Sequence, residues 1–189
     1  MRQRLTAWIA RCSGDWRLVV GVGLCQMLLL VAMLQIGKPF QLATGYPPFD
    51  FQSALTVADM EQQLAHYTPA ARQLYYGMSA IDFVFPPLGG LFCALLIGAG
   101  LRLGWPDFWQ RPNNKSWLLL PFVGALCDWS ENVGLLVTIS NYPPFERGFA
   151  SCAVLAKQGK NLTISLTFTV AIAVLIVGTL RHWQRRRAA

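Results

Sequence analysis

Trp117 to Ile139 reads WLLLPFVGALCDWSENVGLLVTI, an apolar run that nevertheless carries Asp128, Glu131 and Asn132 near its middle. About 20 predominantly apolar residues suffice to cross the ~30 Å hydrocarbon core of a bilayer, so the length fits a transmembrane helix. An ionised side chain facing lipid at mid-bilayer costs roughly 2.5–3.5 kcal/mol on insertion scales. Asp128 precedes Glu131 by three residues and Asn132 by four, which places all three on one helical face. The segment therefore reads as a membrane helix whose polar face turns toward protein or water.

Three further apolar runs flank it. Leu18 to Ile36 follows a basic leader with Arg2, Arg4, Arg11 and Arg17. It exceeds the roughly 7–15 apolar residues of a cleavable signal, and no small-residue cleavage site follows, so it is expected to stay attached. Met78 to Leu101 contains Asp82, Pro86 and Pro87, and two adjacent prolines predict a kink or local opening. Leu162 to Leu180 ends at Arg181, Arg185, Arg186 and Arg187. The expected fold class is an all-α membrane protein, a four-helix transmembrane bundle forming one membrane domain over 1–189, with spans at 18–36, 78–101, 117–139 and 162–180.

Composition agrees with that class. The 189 residues are 54% hydrophobic and 13% charged, against about a quarter charged in soluble domains. Mean hydropathy is +0.39. The formal charge of +7 would suggest nucleic acid in a soluble chain, but here the basic residues flank apolar runs, so they read as topology determinants and no nucleic-acid partner is expected. Cys12, Cys25, Cys93, Cys127 and Cys152 form no CxxC pair and no ligand spacing with His66 or His182, so they are expected to be small buried apolar groups. No metal or other cofactor is implied, and no phosphate-binding glycine loop, HExxH or serine–histidine pair is present.

The connecting segments set orientation. Residues 37–77 form a long polar loop that is partly helical: Pro39, Pro47 and Pro48 break its first part. Leu55, Val57, Met60 and Leu64 predict a helix over Ser53 to His66 with Thr56 capping Asp59. A second short helix is expected from Thr68, with Pro69 at its first position. The 102–116 loop is short and basic. Residues 140–160 are expected to form a second outer loop, turning at Tyr142, Pro143 and Pro144 and ending in Lys157 and Lys160. The basic leader, 102–116 loop and tail put both termini in the cytoplasm of a bacterial inner membrane, with 37–77 outside. Arg147, Lys157 and Lys160 in the second outer loop weaken that bias without reversing it.

Asp82, near the outer end of the second span, and Lys160, at the entry to the fourth, lie at depths compatible with the acids of the third span. The expected polar site is Asp82, Asp128, Glu131, Asn132 and Lys160. Polar side chains also serve as interhelical glue at an average of about 0.6 kcal/mol each, which suits Asn132 best. Clustered carboxylates repel one another when ionised, which makes them poor glue.

Two elements carry a family resemblance: YYGMSAIDFVFP over Tyr75 to Pro86, and DWSEN over Asp128 to Asn132. They resemble a group of uncharacterised bacterial four-span membrane proteins with an Asp-x-x-Phe-Pro element opening the second span and an Asp-x-x-Glu-Asn element in the third. The resemblance implies a fold and a membrane address and no mechanism, and this chain departs from the pattern at Pro87. Three functional classes stay open: binding or transport through an intramembrane acidic pocket for a cation, a proton or a polar lipid headgroup; an assembly or scaffold subunit; and an enzyme using carboxylate acid–base chemistry on a lipid or isoprenoid. The lipid bilayer is the expected partner, with a small cation or a lipid as candidate ligand, and the sequence indicates no particular protein partner.

Overall fold

The computed structural model describes residues 2–188. Helix accounts for 85% of the chain, and no strand occurs among the described residues. In order the elements are α1 (Arg2–Cys12), α2 (Trp16–Thr44), a 3-10 turn (Phe49–Phe51), α3 (Val57–Leu64), α4 (Pro69–Asp82), α5 (Phe85–Gly104), α6 (Pro106–Gln110), a 3-10 stretch (Pro112–Leu119), α7 (Phe122–Asn141) and α8 (Arg147–Ala188). Four helical stretches are long and apolar enough to cross a membrane: Trp16–Thr44, Pro69–Gly104, Asn113–Asn141 and Arg147–Ala188.

Several boundaries differ from the expected ones, each for an identifiable reason. The basic leader is itself a helix, α1, which buries Ile9 and Ala10. The first span does not stop at Ile36: α2 runs to Thr44 with Pro39 inside it. An interior proline costs about 3 kcal/mol or more in a helix, but Met33, Ile36 and Phe40 lie at helical spacing and pack into a core that repays the break. Gly45, at φ +81°, then ends α2 in a left-handed conformation that suits glycine, and its N–H donates to the Gln41 carbonyl at 2.8 Å.

The expected span 78–101 is divided. α4 closes at Asp82 and α5 opens at Phe85, leaving Pro86 and Pro87 in the first turn of α5, where no helical N–H is required. A proline at 86 in a continuous helix would clash with the carbonyl four residues back, that of Asp82. α7 begins five residues later than expected because a 3-10 stretch and the turn at Pro121 occupy the start of the third run.

The largest correction concerns residues 140–160. Only the segment around Tyr142–Phe145 is irregular; α8 starts at Arg147 and continues through the basic tail to Ala188. Ala150 and Ala153 are fully buried on its inner face, and their small size lets α8 approach α7 closely at Gly134. The expected helices of the long loop are present, with α3 shorter than Ser53 to His66. Thr56 caps α3 in a reciprocal box with Asp59, and Thr68 caps α4, accepting from the Ala71 N–H.

The contacts divide the chain into two compact units. One comprises the described residues up to Cys25, Pro87–Ala125 and Asn161 onward; the other comprises Gln26–Pro86 and Leu126–Lys160. In the first, Ile9, Val19, Cys93–Ile97, Leu118 and Ala171 form the core. There α5 and α8 cross at glycines: a Cβ on Gly100 would lie 2.5 Å from the Val174 carbonyl oxygen, and one on Gly104 would lie 2.6 Å from Gly178 Cα. Glycines four residues apart meeting a glycine on the neighbour are the small-residue contact that lets membrane helices touch backbone to backbone. In the second unit, Phe40, Phe49, Tyr67 and Tyr75 pack at centroid distances of 5.0–6.2 Å, mostly edge-on or tilted, and form the centre of its core.

Two outcomes test this packing. Gly178→Val should lower stability in detergent by about 1–3 kcal/mol through overpacking against Gly100, whereas Gly21→Ala, with nothing within 4 Å of the added carbon, should be neutral in the same melt. For the cap, the Thr56 hydroxyl and then its backbone N–H hold the Asp59 carboxyl below its ordinary value. That contribution is present above the ordinary carboxylate range and is lost as pH falls through the depressed value. Amide protection of Val57–Leu64, taken relative to the intrinsic exchange rate at each pH, should fall on acidification, and in Thr56→Ala it should be low at neutral pH already.

Candidate functional site

The inner face of α7 runs Asp128, Glu131, Asn132, Leu135 and Ile139, all buried, while Leu126, Trp129 and Val133 on its other side are exposed. Asp128, Glu131 and Asn132 thus share one buried face, and three elements of the same unit meet them. α8 contributes Lys157 and Lys160, α4 contributes Asp82 from its last position, and the 3-10 turn contributes Phe49 and Asp50.

Lys157 is the organising group. Its Nζ donates to Glu131 Oε1 at 2.8 Å, to the Phe49 carbonyl at 3.0 Å and to the Asp50 carbonyl at 3.2 Å. All three ammonium hydrogens are therefore used, with the side chain only 4% exposed. Lys160 Nζ donates to Asp128 Oδ1 at 3.2 Å and forms an ion pair with Glu131 Oε2. Glu131, wholly buried, is thus held between two ammonium groups.

Asp82 joins the network differently. Its Oδ2 accepts from Asn132 Nδ2 at 2.8 Å, and the charges acting on it are those of Asp50, Asp128 and Lys160. Asn132 is 2% exposed, and its Oδ1 has no hydrogen-bond partner. Asp50 Oδ2 accepts from the Tyr75 hydroxyl at 2.5 Å. Tyr67, which stacks on Phe49, has a buried hydroxyl without a partner. Burial, and then the Asp50 carboxylate, push that hydroxyl above the ordinary tyrosine range.

Two supports hold the backbones in place. Arg72, in the first turns of α4, donates from Nη1 to the carbonyls of Ile139 and Tyr142 at 3.2 and 2.9 Å, which satisfies acceptors at the end of α7. Trp129 Nε1 donates to the Phe83 carbonyl at 2.8 Å, at the break that follows Asp82.

All five residues singled out from the sequence, Asp82, Asp128, Glu131, Asn132 and Lys160, are buried: Lys160 pairs with Asp128 and Glu131, and Asn132 pairs with Asp82. Sequence reasoning left out Lys157, whose spacing of three from Lys160 repeats that of Asp128 and Glu131 and could have been used. It also left out Asp50 and Tyr75, which reach the site through loop folding that no local pattern reveals. Among the described residues no group of three or more His, Cys, Asp or Glu side chains is arranged to hold a metal ion. The cysteines are unpaired; of the five only Cys93 is fully buried, while Cys25 and Cys152 are exposed, contrary to the expectation that they are buried. No protein-family model, curated protein or solved structure matches the chain.

Removing one member of a buried ion pair costs about 3–5 kcal/mol because the other is left uncompensated. Lys160 still faces Glu131 when Lys157 is lost, so Lys157→Met should destabilise the protein in thermal unfolding by less than that full cost. Adding Glu131→Gln to it should restore part of the loss, giving a non-additive double-mutant cycle.

Proposed function

We propose that this chain is a four-span integral membrane protein, with both termini cytoplasmic, whose buried polar cluster is a proton-binding site serving uptake or transport. Exposed apolar stripes support the membrane reading: Val20, Leu24, Leu28 and Val31 follow one face of α2, and Leu162, Leu166 and Val170 one face of α8. In water such stripes would be large apolar patches of the kind soluble monomers avoid. α2 and α8 measure about 44 and 63 Å at 1.5 Å per residue, longer than a ~30 Å hydrocarbon core. Lys160 immediately precedes the apolar stretch 162–180, which supports a position for the cluster toward the outer edge of the membrane. The likeness of the Tyr75–Pro86 and Asp128–Asn132 elements to four-span bacterial membrane proteins is consistent with this reading.

The observation that carries the proton assignment is the charge imbalance of the cluster. Three buried carboxyl groups, Asp82, Asp128 and Glu131, with the half-buried Asp50 beside them, face two ammonium groups, Lys157 and Lys160. Uncompensated buried charge costs several kcal/mol per ion, so a fully ionised cluster calls for added positive charge. The lysines occupy the carboxylate edges of Asp128 and Glu131 that a metal ion would need. Asp82, which receives only an amide hydrogen bond, is the group left to take a proton, with Asn132 as its positioning partner. In this mechanism Lys160, within electrostatic reach of Asp82, shifts toward it when the proton leaves and back toward Asp128 when the proton returns.

A second reading is favoured by one specific contact. The Lys157 ammonium ties α7, α8 and the 49–50 turn together at once, as a scaffold subunit with a purely structural cluster would need.

The two readings separate in proteoliposomes carrying a lumenal pH-sensitive dye. Under an imposed gradient the parent protein should carry proton flux. Asp82→Asn should fall to the rate of protein-free vesicles while melting like the parent, and Asp59→Asn, on the exposed loop cap, should behave as the parent does. Flux through Asp82→Asn equal to that of the parent, or no flux from the parent, would remove the proton reading and leave the scaffold.

A further inference from the structure

The first unit carries its own charged feature, unrelated to the acidic cluster. Arg4, Arg11, Arg17, Arg102, Arg111, Lys115 and the arginines of the tail all belong to this unit, whose acids are Asp15 and Asp107. Most of these cations are scattered, but two converge on a cavity of about 450 Å³ lined by Gly104, Arg181, Gln184, Arg185 and Ala188. That volume lies within the roughly 300–1,000 Å³ of small-molecule sites. Among the described residues no carboxylate lines it.

The two guanidinium groups are held rather than waving. Arg181 stacks over the Trp105 ring at 4.5 Å, an arrangement that leaves the N–H edge of the guanidinium pointing away from the ring face. Arg185 donates from Nη2 to the Leu103 carbonyl, near the end of α5, and from Nε to the Arg181 carbonyl at 3.4 Å. A guanidinium has five N–H donors, so these bonds use two and orient the remainder. Gly104 keeps the α5 wall low, because its missing side chain is where α5 and α8 touch. Gln184 adds a neutral amide that can both donate and accept.

Two pre-oriented forks on one concave wall, with no acid among the described lining residues, match a phosphate group, whose several oxygens accept paired N–H bonds. We infer that this cavity binds a phosphate group, that of an anionic lipid headgroup at the cytoplasmic face or of a soluble phosphate. The surroundings suit the lipid: Val177, Leu180 and Trp183 are exposed on α8, in the stretch that carries Arg181 and Arg185. Apolar side chains below and guanidinium groups above are what an amphiphile with a phosphate head requires. Basic pockets between membrane helices on the cytoplasmic side recognise anionic headgroups by this chemistry. The inference needs the membrane orientation proposed above but not the proton site.

The test compares charge with geometry. Arg181→Lys/Arg185→Lys keeps every positive charge, and with it the topology, while removing both forks. Native mass spectrometry of the full chain in detergent should show phosphatidylglycerol retained in preference to phosphatidylcholine, with retention about tenfold weaker in the lysine pair. Arg186→Lys/Arg187→Lys, outside the cavity lining, should match the parent. Should the lysine pair fail to fold, Gln184→Glu places an anion in the cavity without touching either arginine and should abolish retention. In a parallel arm, sodium phosphate is compared with sodium chloride in thermal melts. Stabilisation by phosphate that the cavity variants lose, without lipid preference, assigns a soluble phosphate instead of a lipid. If the cavity variants hold both probes as the parent does, or the Arg186/Arg187 pair weakens binding equally, the arginines act only as general surface charge and the site does not exist.

Discussion

The second unit depends on a single demand: Glu131, wholly buried, must be neutralised, and Lys157 does so while spending its other two hydrogens on the carbonyls of Phe49 and Asp50. One ammonium thereby fixes three backbones. A carboxylate on α7 and a lysine on α8 can meet only when both helices present the right faces, so the pair sets their rotation about their own axes. The small residues Gly134, Ala150 and Ala153 then allow the close approach that the bond length requires. Hydrophobic burial alone would tolerate a sliding contact between two apolar helices; a charged hydrogen bond of 2.8 Å does not.

The same demand explains why the loop between α2 and α4 is ordered. Phe49 stacks on Tyr67, Asp50 receives the Tyr75 hydroxyl, and Arg72 satisfies the exposed end of α7. Each of these contacts links a residue of the loop or of α4 to a group that would otherwise be an unmet donor or acceptor. The turn is held by the polar requirements of the helices beneath it, and the aromatic core fills the space between.

Much of this was legible in the sequence because long apolar helices leave strong local marks. Apolar runs of adequate length located the four long helices, and the spacing of Asp128, Glu131 and Asn132 predicted a common buried face. Thr68 with Pro69 marked one helix start through capping chemistry, and Thr56 with Asp59 marked the cap of a helix whose expected bounds, Ser53 to His66, were too wide. What failed was the inference from polarity to loop. Residues 147–160 look polar through Arg147, Lys157 and Lys160, yet they are helical because those lysines have carboxylate partners on α7 that local reading cannot see. Pro39 misled in the same way, since tertiary packing of Met33 and Phe40 outweighs a local cost. Asp50 was invisible as a site residue: its place depends on contacts with Tyr75 and Lys157, 25 and 107 residues away.

The two charged regions answer opposite physical problems. In the acidic cluster the side chains are buried, so each charge must find a partner, and the leftover carboxyl of Asp82 is conspicuous because the lysines are already engaged elsewhere. At the tail the arginines are exposed, so water can satisfy them and a partner is not compulsory. Fixed geometry is therefore the informative observation there. Arg181 laid on Trp105 and Arg185 tied to two carbonyls have given up side-chain freedom, worth up to about 2 kcal/mol for a residue of this kind. Arginines needed only for topology gain nothing from such ordering, since their charge acts equally well from a mobile chain. A ligand that uses the N–H groups left over would gain from it directly, because the entropy has been lost before binding.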